Sequence, residues 1–373
     1  TQLQELLCYS NSLTSLDLSH NTQLKVLGCF ANSITSLDVS HNAQLTELDC
    51  SENKISSLDV SKNTQLVKLF CLKNSITTLD VSHDTQLTSL NCSENKISSL
   101  DVSKNVKLEK LHCNKNALTS IDVSKNVQLT GLDCSANKLK AIDVSKNTVL
   151  EWLYCFDNSI TSLDVKNNTQ LKNLRCFNNS LATLDVSKNT ELEWLYCYGN
   201  SLAAIDISKN TQLKDFVCYG NKFTTASLDD IYCSLPDRNG KATGIIRPVL
   251  DASAPDNSKA LASNGKNATD KNWKIMYYKG NSDITGFTGT HQCGGGTGID
   301  ETKDSPSLAV YPNPVKDILN IATDKPVHSI RIYNVYGTEV LRTADTNRID
   351  VSHLPAGVYM VSADGKVTRI IKE

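Results

Sequence analysis

The sequence lacks most of what marks an enzyme, a nucleic-acid binder or a membrane span. Net charge is nearly absent: 38 Lys and Arg against 40 Asp and Glu leave −2. No broad field therefore draws the chain to nucleic acid or anionic lipid. Long apolar runs are missing as well, since pairs such as Ile245–Ile246 and Ile370–Ile371 fall far short of the roughly 20 residues that cross a bilayer. His20, His41, His83 and His112 stand singly, with no acid and nucleophile recurring beside them, so no catalytic constellation is visible. An enzyme is not expected. No secretory leader opens the chain; Thr1 matches Thr22 of the next "NTQL", and the sequence reads as a fragment or a processed form.

What is present is a repeat. Cysteine recurs at Cys8, Cys29, Cys50 and so on to Cys218, eleven times at a period of 21 residues without a slip. In phase with it run Asn11, Asn32, Asn53 and their successors to Asn221, inside the consensus LxxLxCxxNxLTxLDVSxNTx. This is a leucine-rich repeat with Cys in the third leucine slot. One such unit cannot bury its own apolar face, so Leu45, Leu48, Cys50, Ile55, Leu58 and Val60 must pack on their counterparts in the next coil. "LxxLxC" alternates as a strand with one buried face does, and eleven strands at about 4.8 Å make a parallel sheet roughly 50 Å long. The return segments are too short for full helices. The recurrent Asn is expected to bond turn backbone groups of its own and the neighbouring coil. The expected fold is mainly β: a solenoid of 11 coils of 21 residues over residues 1–225.

Two repeated features invite a metal reading. A metal site needs two to four sulfurs converging on a point, whereas the cysteines form a line of parallel thiols. A disulfide wants its Cβ atoms about 3.8 Å apart, less than a strand spacing, so the ladder should stay reduced and inert. Cys233 and Cys293 lie outside the ladder and are free to pair or not. The "DVSKN" turns, such as Asp59, Ser61 and Asn63, are rich in oxygen but lack the Gly and distal acid of a calcium loop. Asp, Ser and Asn also cap their own turns. No metal and no cofactor is expected.

The Cys-bearing repeat resembles that of internalin J-type surface proteins, which implies a secreted binding protein. After the last coil, residues 226–293 resemble the closing segment of repeat proteins from Bacteroidetes and read as an α/β cap, with Ser227 as helix N-cap, Leu228, Ile231 and Leu235 as an apolar stripe, and Pro236 as the stop. Residues 294–306, rich in glycine and polar side chains, read as a flexible linker. From 307 to 373, short alternating runs separated by Gly, Pro and Asn predict a small Ig-like β-sandwich. These residues resemble the C-terminal sorting domain of the type IX secretion system. The matching positions are Tyr311, Pro312, Asn313 and Pro314, then Asn334 and Gly337, then Leu354, Pro355, Ala356, Gly357 and Tyr359, then Lys366 and Lys372. That resemblance implies export across the outer membrane by the type IX machinery, removal of the domain and attachment of the remainder to surface lipopolysaccharide.

Strand positions flanking the buried Leu and Cys should face the concave side. Repeats 1 to 7 place only Tyr9, Phe30 and Phe70 there as aromatics, whereas repeats 8 to 11 place Trp152, Tyr154, Phe156, Phe177, Trp194, Tyr196, Tyr198 and Tyr219, with Asn173 and Arg175 among them. Rings of this size, even partly exposed, exceed the apolar patch of an ordinary monomer. The patch predicts a ligand surface for a protein or glycan on a host or bacterial cell, with Trp152 and Trp194 as walls about 10 Å apart over Asn173. Two alternatives stay open: the rings stack to stiffen the sheet or meet the cap or the sorting domain, and the protein is a coat or biofilm spacer with no specific ligand.

Overall fold

The structure, a computed structural model, describes residues 2–293, 309–322, 327–334, 339–344, 346–363 and 366–373. The expected linker and Thr1 lie outside the described residues. The chain divides into two compact units, Thr1–Cys293 and Gly294–Glu373.

The first unit is built on one parallel sheet of 13 strands. Eleven are three-residue strands, one per coil, from Glu5–Leu7 to Asp215–Val217. Each residue pairs with the one 21 positions on, as Glu47 with Lys68 and Leu48 with Leu69. A slip of one residue would turn the central Leu outward and bring charged flanks into the core, which is what holds the register. Leu45, Leu48, Cys50, Ile55, Leu58 and Val60 are all buried, and so are their equivalents in the following coils. The return segments are turns without helices.

Two ladders of side-chain amides run through the stack. In the first, Asn53 donates from Nδ2 to the carbonyls of Cys50, Ser51 and, one coil back, Cys29, at 3.0 to 3.1 Å. Its Oδ1 accepts from Ile34 N–H at 2.9 Å. The bond pattern expected of this Asn is therefore present, and it fastens each turn to the coil before it. The residue preceding it holds a positive φ in every coil, as at Lys73 (φ 55°), and only the last two coils meet that conformation with glycine, Gly199 and Gly220.

The second ladder departs from the sequence reading, which took Asn63 for a turn cap alongside Asp59 and Ser61. Only the Asp–Ser pair caps the turn, Asp59 Oδ1 accepting from Ser61 N–H at 2.9 Å. Asn63 is fully buried and donates to the carbonyls of Val39 and Asn42 in the preceding coil, at 3.0 and 2.9 Å. The same arrangement recurs from Asn42 to Asn210, save that Asp84 stands in the column between Asn63 and Asn105.

Beyond the coils, strands Gly244–Val249 and Trp273–Tyr277 extend the same sheet, pairing in parallel with Asp215–Val217 and with each other. Helices α1 (Thr225–Ser234), α2 (Asn257–Ala262) and α3 (Lys266–Thr269) belong to this cap. Helix α1 begins earlier than expected: Thr224 is the N-cap, and Ser227 completes a capping box from the third helical position. Each residue satisfies the other's backbone N–H, so Thr224, not Ser227, marks the start. Leu228, Ile231 and Leu235 are buried as the stripe predicts. Cys233 and Cys293 form a disulfide with Cα atoms 5.2 Å apart, which ties the end of the cap to α1.

The described residues of the second unit form two antiparallel sheets, one of three strands and one of four, around Val315, Leu319, Ile332, Ile349, Val361 and Ile370.

Candidate binding surface

The eight aromatic residues from Trp152 to Tyr219 at the strand positions flanking the buried Leu and Cys lie on the sheet's outward side, whereas Phe216 and Phe223 are buried in the core, and the eight form two groups with different geometry. Phe156, Phe177, Tyr198 and Tyr219 make one continuous stack, with ring centres 4.2, 4.2 and 4.5 Å apart and planes within 13°. Tyr278 of the cap leans on Tyr198 and Tyr219 at 5.5 and 4.9 Å. The ring faces in this column are occupied by one another, and Tyr198 is buried. Flat contact with a ligand is therefore left to the other group.

That group is set by the strands Trp152–Tyr154, Asn173–Arg175 and Trp194–Tyr196, which pair Trp152 with Asn173 and Asn173 with Trp194. Trp152 does not stand upright over Asn173. Its indole occupies the space above Gly131, where a Cβ would come within 1.8 Å of Cζ2, and it lies 5.1 Å from the rings of both His112 and Tyr154. Gly131 leaves a gap one side chain wide, and the ring fills it, so the expected pair of parallel walls opens on the Trp152 side. Trp194 keeps its place, with Lys214 Nζ 5.3 Å from its ring centre.

Between the two tryptophans runs a polar network. Arg175 is held between two rings, its guanidinium carbon 4.7 Å from the centre of Tyr154 and 5.1 Å from that of Tyr196. Asn173 Nδ2 donates to the Tyr154 hydroxyl at 3.1 Å, and Arg175 Nε donates to Asn173 Oδ1 at 3.4 Å. Tyr196 O–H donates to Asp215 at 2.9 Å, and the other oxygen of Asp215 takes Arg247 at 2.7 Å. Burial and the neighbouring Asp215 carboxylate push the Tyr196 hydroxyl up to about 12. Burial likewise lowers the pKa of His112 and raises that of Asp133 at the near edge.

All ten expected ligand residues thus share this outward region, but only Trp152, Tyr154, Asn173, Arg175, Trp194 and Tyr196 compose the open network. The reading from sequence missed His112, Gly131, Asp215, Arg247 and Tyr278. Gly131 and Asp215 occupy the same strand column as Trp152 and Trp194, so that column read in full, small residues included, would have found them. Among the described residues no group of three or more His, Cys, Asp or Glu could hold a metal, and no helix is long and apolar enough to cross a membrane.

The functional domain of InlJ from Listeria monocytogenes, which includes a cysteine ladder, aligns with 27% identity over 100% of this chain and 86% of its own, at a TM-score of 0.47. An internalin from the same species aligns with 22% identity over 63% of this chain and 79% of its own, at 0.55. A leucine-rich-repeat protein of Leptospira interrogans aligns with 19% identity over 62% and 76%, at 0.50. The last two share the fold. No curated protein sequence matches significantly. Residues 309–373 match the family described as secretion system C-terminal sorting domain. The protein is a cysteine-ladder leucine-rich-repeat solenoid with a type IX sorting domain.

The sorting domain directs the solenoid through the type IX system to the cell surface or beyond. Its described motif residues are divided between strands and two turns, Pro312–Pro314 and Leu354–Ala356. Within Tyr311–Pro314, Asn313 bridges to the last strand, donating to Arg369 C=O at 2.9 Å and accepting from Ile371 N–H at 2.8 Å. Tyr359 O–H donates to Pro355 C=O at 2.9 Å, closing the Leu354–Gly357 turn, where Leu354 is buried and Ala356 exposed. Asn334 pairs with Tyr359 across the four-stranded sheet, and Lys372 is largely buried. Gly337 and the Lys366 side chain lie outside the described residues.

Proposed function

We propose that this is a cell-surface binding protein whose solenoid recognises a protein on a host or bacterial cell through the outward face of coils 8 to 11. The observation that carries the reading is the ordered network around Arg175, with Trp152 and Trp194 beside it, rings and polar groups fixed side by side on a sheet face whose first seven coils carry Tyr9, Phe30 and Phe70 as their aromatics. Interface hot spots are enriched in Trp, Tyr and Arg held in this manner. In this reading the chain binds and does not catalyse. After export the sorting domain is removed and the solenoid is fixed to surface lipopolysaccharide.

The test is a panel of host and bacterial surface proteins and glycans probed with the wild-type protein, Trp194→Ala and Ser89→Ala. Ser89 lies in the same strand column in coil 5 and serves as the control. Truncating Trp194 should cost about 2 kcal/mol, roughly thirtyfold in affinity, and Ser89→Ala should bind as wild type. Equal binding by all three overturns the reading. A glycan as the bound partner would keep the surface and change the ligand class.

One observation favours a second reading, a coat or spacer protein. The stack from Phe156 to Tyr219 stiffens the last coils whether or not anything binds. Under that reading no member of the panel binds any of the three proteins.

A further inference from the structure

Arg175 is the cation at the centre of this network. In the same coils Lys172 pairs with Glu151 at 3.1 Å and Lys214 with Glu193 at 2.6 Å, and Arg247 of the cap pairs with Asp215 at 2.7 Å. Arg175 makes no ion pair among the described residues, and its long bond from Nε to Asn173 is the one hydrogen bond of its guanidinium there. Both Nη groups keep their donors.

The rings on either side explain how a cation is kept so. Tyr154 and Tyr196 stand on the strands either side of Arg175, each ring within cation–π range of the guanidinium, an arrangement stabilised by the ring quadrupoles. Each ring is itself anchored, Tyr154 by Asn173 and Tyr196 by Asp215. The two rings take up space on either side of the guanidinium, and its Nη donors offer a planar fork to a further partner. The side-chain freedom that an arginine normally loses on binding is already lost here.

We infer that Arg175 is a preformed receptor for a carboxylate, presented as an Asp or Glu side chain of the protein partner. This rests on the proposed reading of coils 8 to 11 as the binding face and names the chemistry at its centre. A planar carboxylate accepts two parallel N–H bonds from a guanidinium edge. A dianionic phosphate suits the place less well, because Asp133 stands one strand before Tyr154 and Asp215 one strand after Tyr196, and Asp133 already feels the Arg175 charge. Trp152 and Trp194, on the neighbouring column, flank the slot and offer apolar contact to residues on either side of the acid.

The test titrates the full chain with two capped tripeptides, acetyl-Gly-Glu-Gly-amide and its neutral isostere acetyl-Gly-Gln-Gly-amide, followed by the nuclear magnetic resonance signals of the Arg175 Nε–H and the Trp152 and Trp194 indoles. The glutamyl peptide should shift these signals saturably, and the glutaminyl peptide at least tenfold more weakly. Arg175→Lys keeps the charge but loses the planar fork, and should weaken the glutamyl response at least tenfold while leaving thermal unfolding unchanged. Equal responses to both peptides, no saturable response to the glutamyl peptide, or an unaltered response in Arg175→Lys overturns the inference. Its failure is separable from failure of the binding face. If a panel partner is lost by Trp194→Ala but kept by Arg175→Lys, the carboxylate receptor falls and the face stands; if neither change affects binding, both fall.

Discussion

Asp84 and Asn63 hold the same place in consecutive coils but bring opposite hydrogen-bonding chemistry to it. Asn63 donates to two carbonyls of the coil before it. Asp84 is as deeply buried, and both of its side-chain oxygens lack a partner among the described residues. By the ladder's spacing its carboxyl falls beside the carbonyls of Val60 and Asn63, which already accept the backbone N–H of Asn63 and Leu66 and in the other coils take a second bond from the side-chain amide, a bond that an ionised carboxylate cannot donate and a protonated acid can.

A pH dependence follows. Burial first, then the Asp80 and Asp59 carboxylates, push the Asp84 carboxyl up from 3.8 to about 7. The folded state therefore holds its proton where the unfolded chain has released it, and stability falls as pH rises from about 4 to about 7, then levels. Asp84→Asn restores the amide and removes the titration. It should stabilise the protein by about 1 kcal/mol at pH 4, the worth of one added hydrogen bond, and by roughly 5 kcal/mol at pH 9, where the titration cost of about 4 kcal/mol is removed as well. Denaturant melts of both proteins at the two pH values check this; an equal gain at both would mean that Asp84 is ionised throughout.

The thiols give a second prediction. Eleven cysteines are free; ten of them, Cys29 to Cys218, are buried, while Cys8 at the start of the stack is partly exposed. Burial pushes Cys29 up to about 12 and Cys50 well above its ordinary value, which removes the reactive thiolate. A thiol reagent should label Cys8 alone in the native protein and all eleven after denaturation. Native labelling of Cys113 or Cys134, in the middle of the stack, would show that the coils open there.

The solenoid was legible because one constraint repeats eleven times: the 21-residue period fixes the strand, the buried Cys and the first Asn ladder together. The second ladder was misread because Asn63 lies in a polar "DVSKN" segment, and sequence does not tell a buried amide from a turn cap. The cap's two added strands lack the repeat, so nothing periodic announced that Gly244–Val249 continues the sheet. At the candidate surface the residue types were readable by counting, but ring directions were not. Phe177 stacks on its neighbours because Phe156 and Tyr198 place rings of similar size on the coil to either side, whereas Trp152 turns aside because Gly131 leaves room.

Export supplies a third prediction. Deleting residues 307–373 removes the matched sorting domain and should abolish display at the cell surface while leaving the solenoid folded, since the two units have separate cores. Protein recovered from native outer membranes should end between Gly294 and Pro306. Mass spectrometry of the C-terminus and surface labelling of the deletion strain decide this; intact chain ending at Glu373, or undiminished display, overturns it.

The last prediction moves Trp152 without mutating it. Gly131 has no positive φ to explain it, so its role here is the absence of a side chain. In Gly131→Ala the new Cβ would sit 1.8 Å from Cζ2 and 1.9 Å from Cε2 of the indole, far inside van der Waals contact. The ring is the part free to move, because Gly131 is fixed in the sheet opposite Trp152 and the core residues Leu132 and Leu153 hold both strands in register. The indole should swing off coil 7 and lose its contact with His112. Stability should fall by no more than about 1 to 2 kcal/mol, since the displaced ring lies on the outward face and no cavity opens in the core. Indole fluorescence should shift, and a partner bound through this face should be weakened although Trp152, Arg175 and Trp194 are all still present. The control is Gly131→Ala combined with Trp152→Ala, which should bind no worse than Trp152→Ala alone. Unchanged fluorescence and affinity in Gly131→Ala would mean that the indole does not rest on Gly131 in solution.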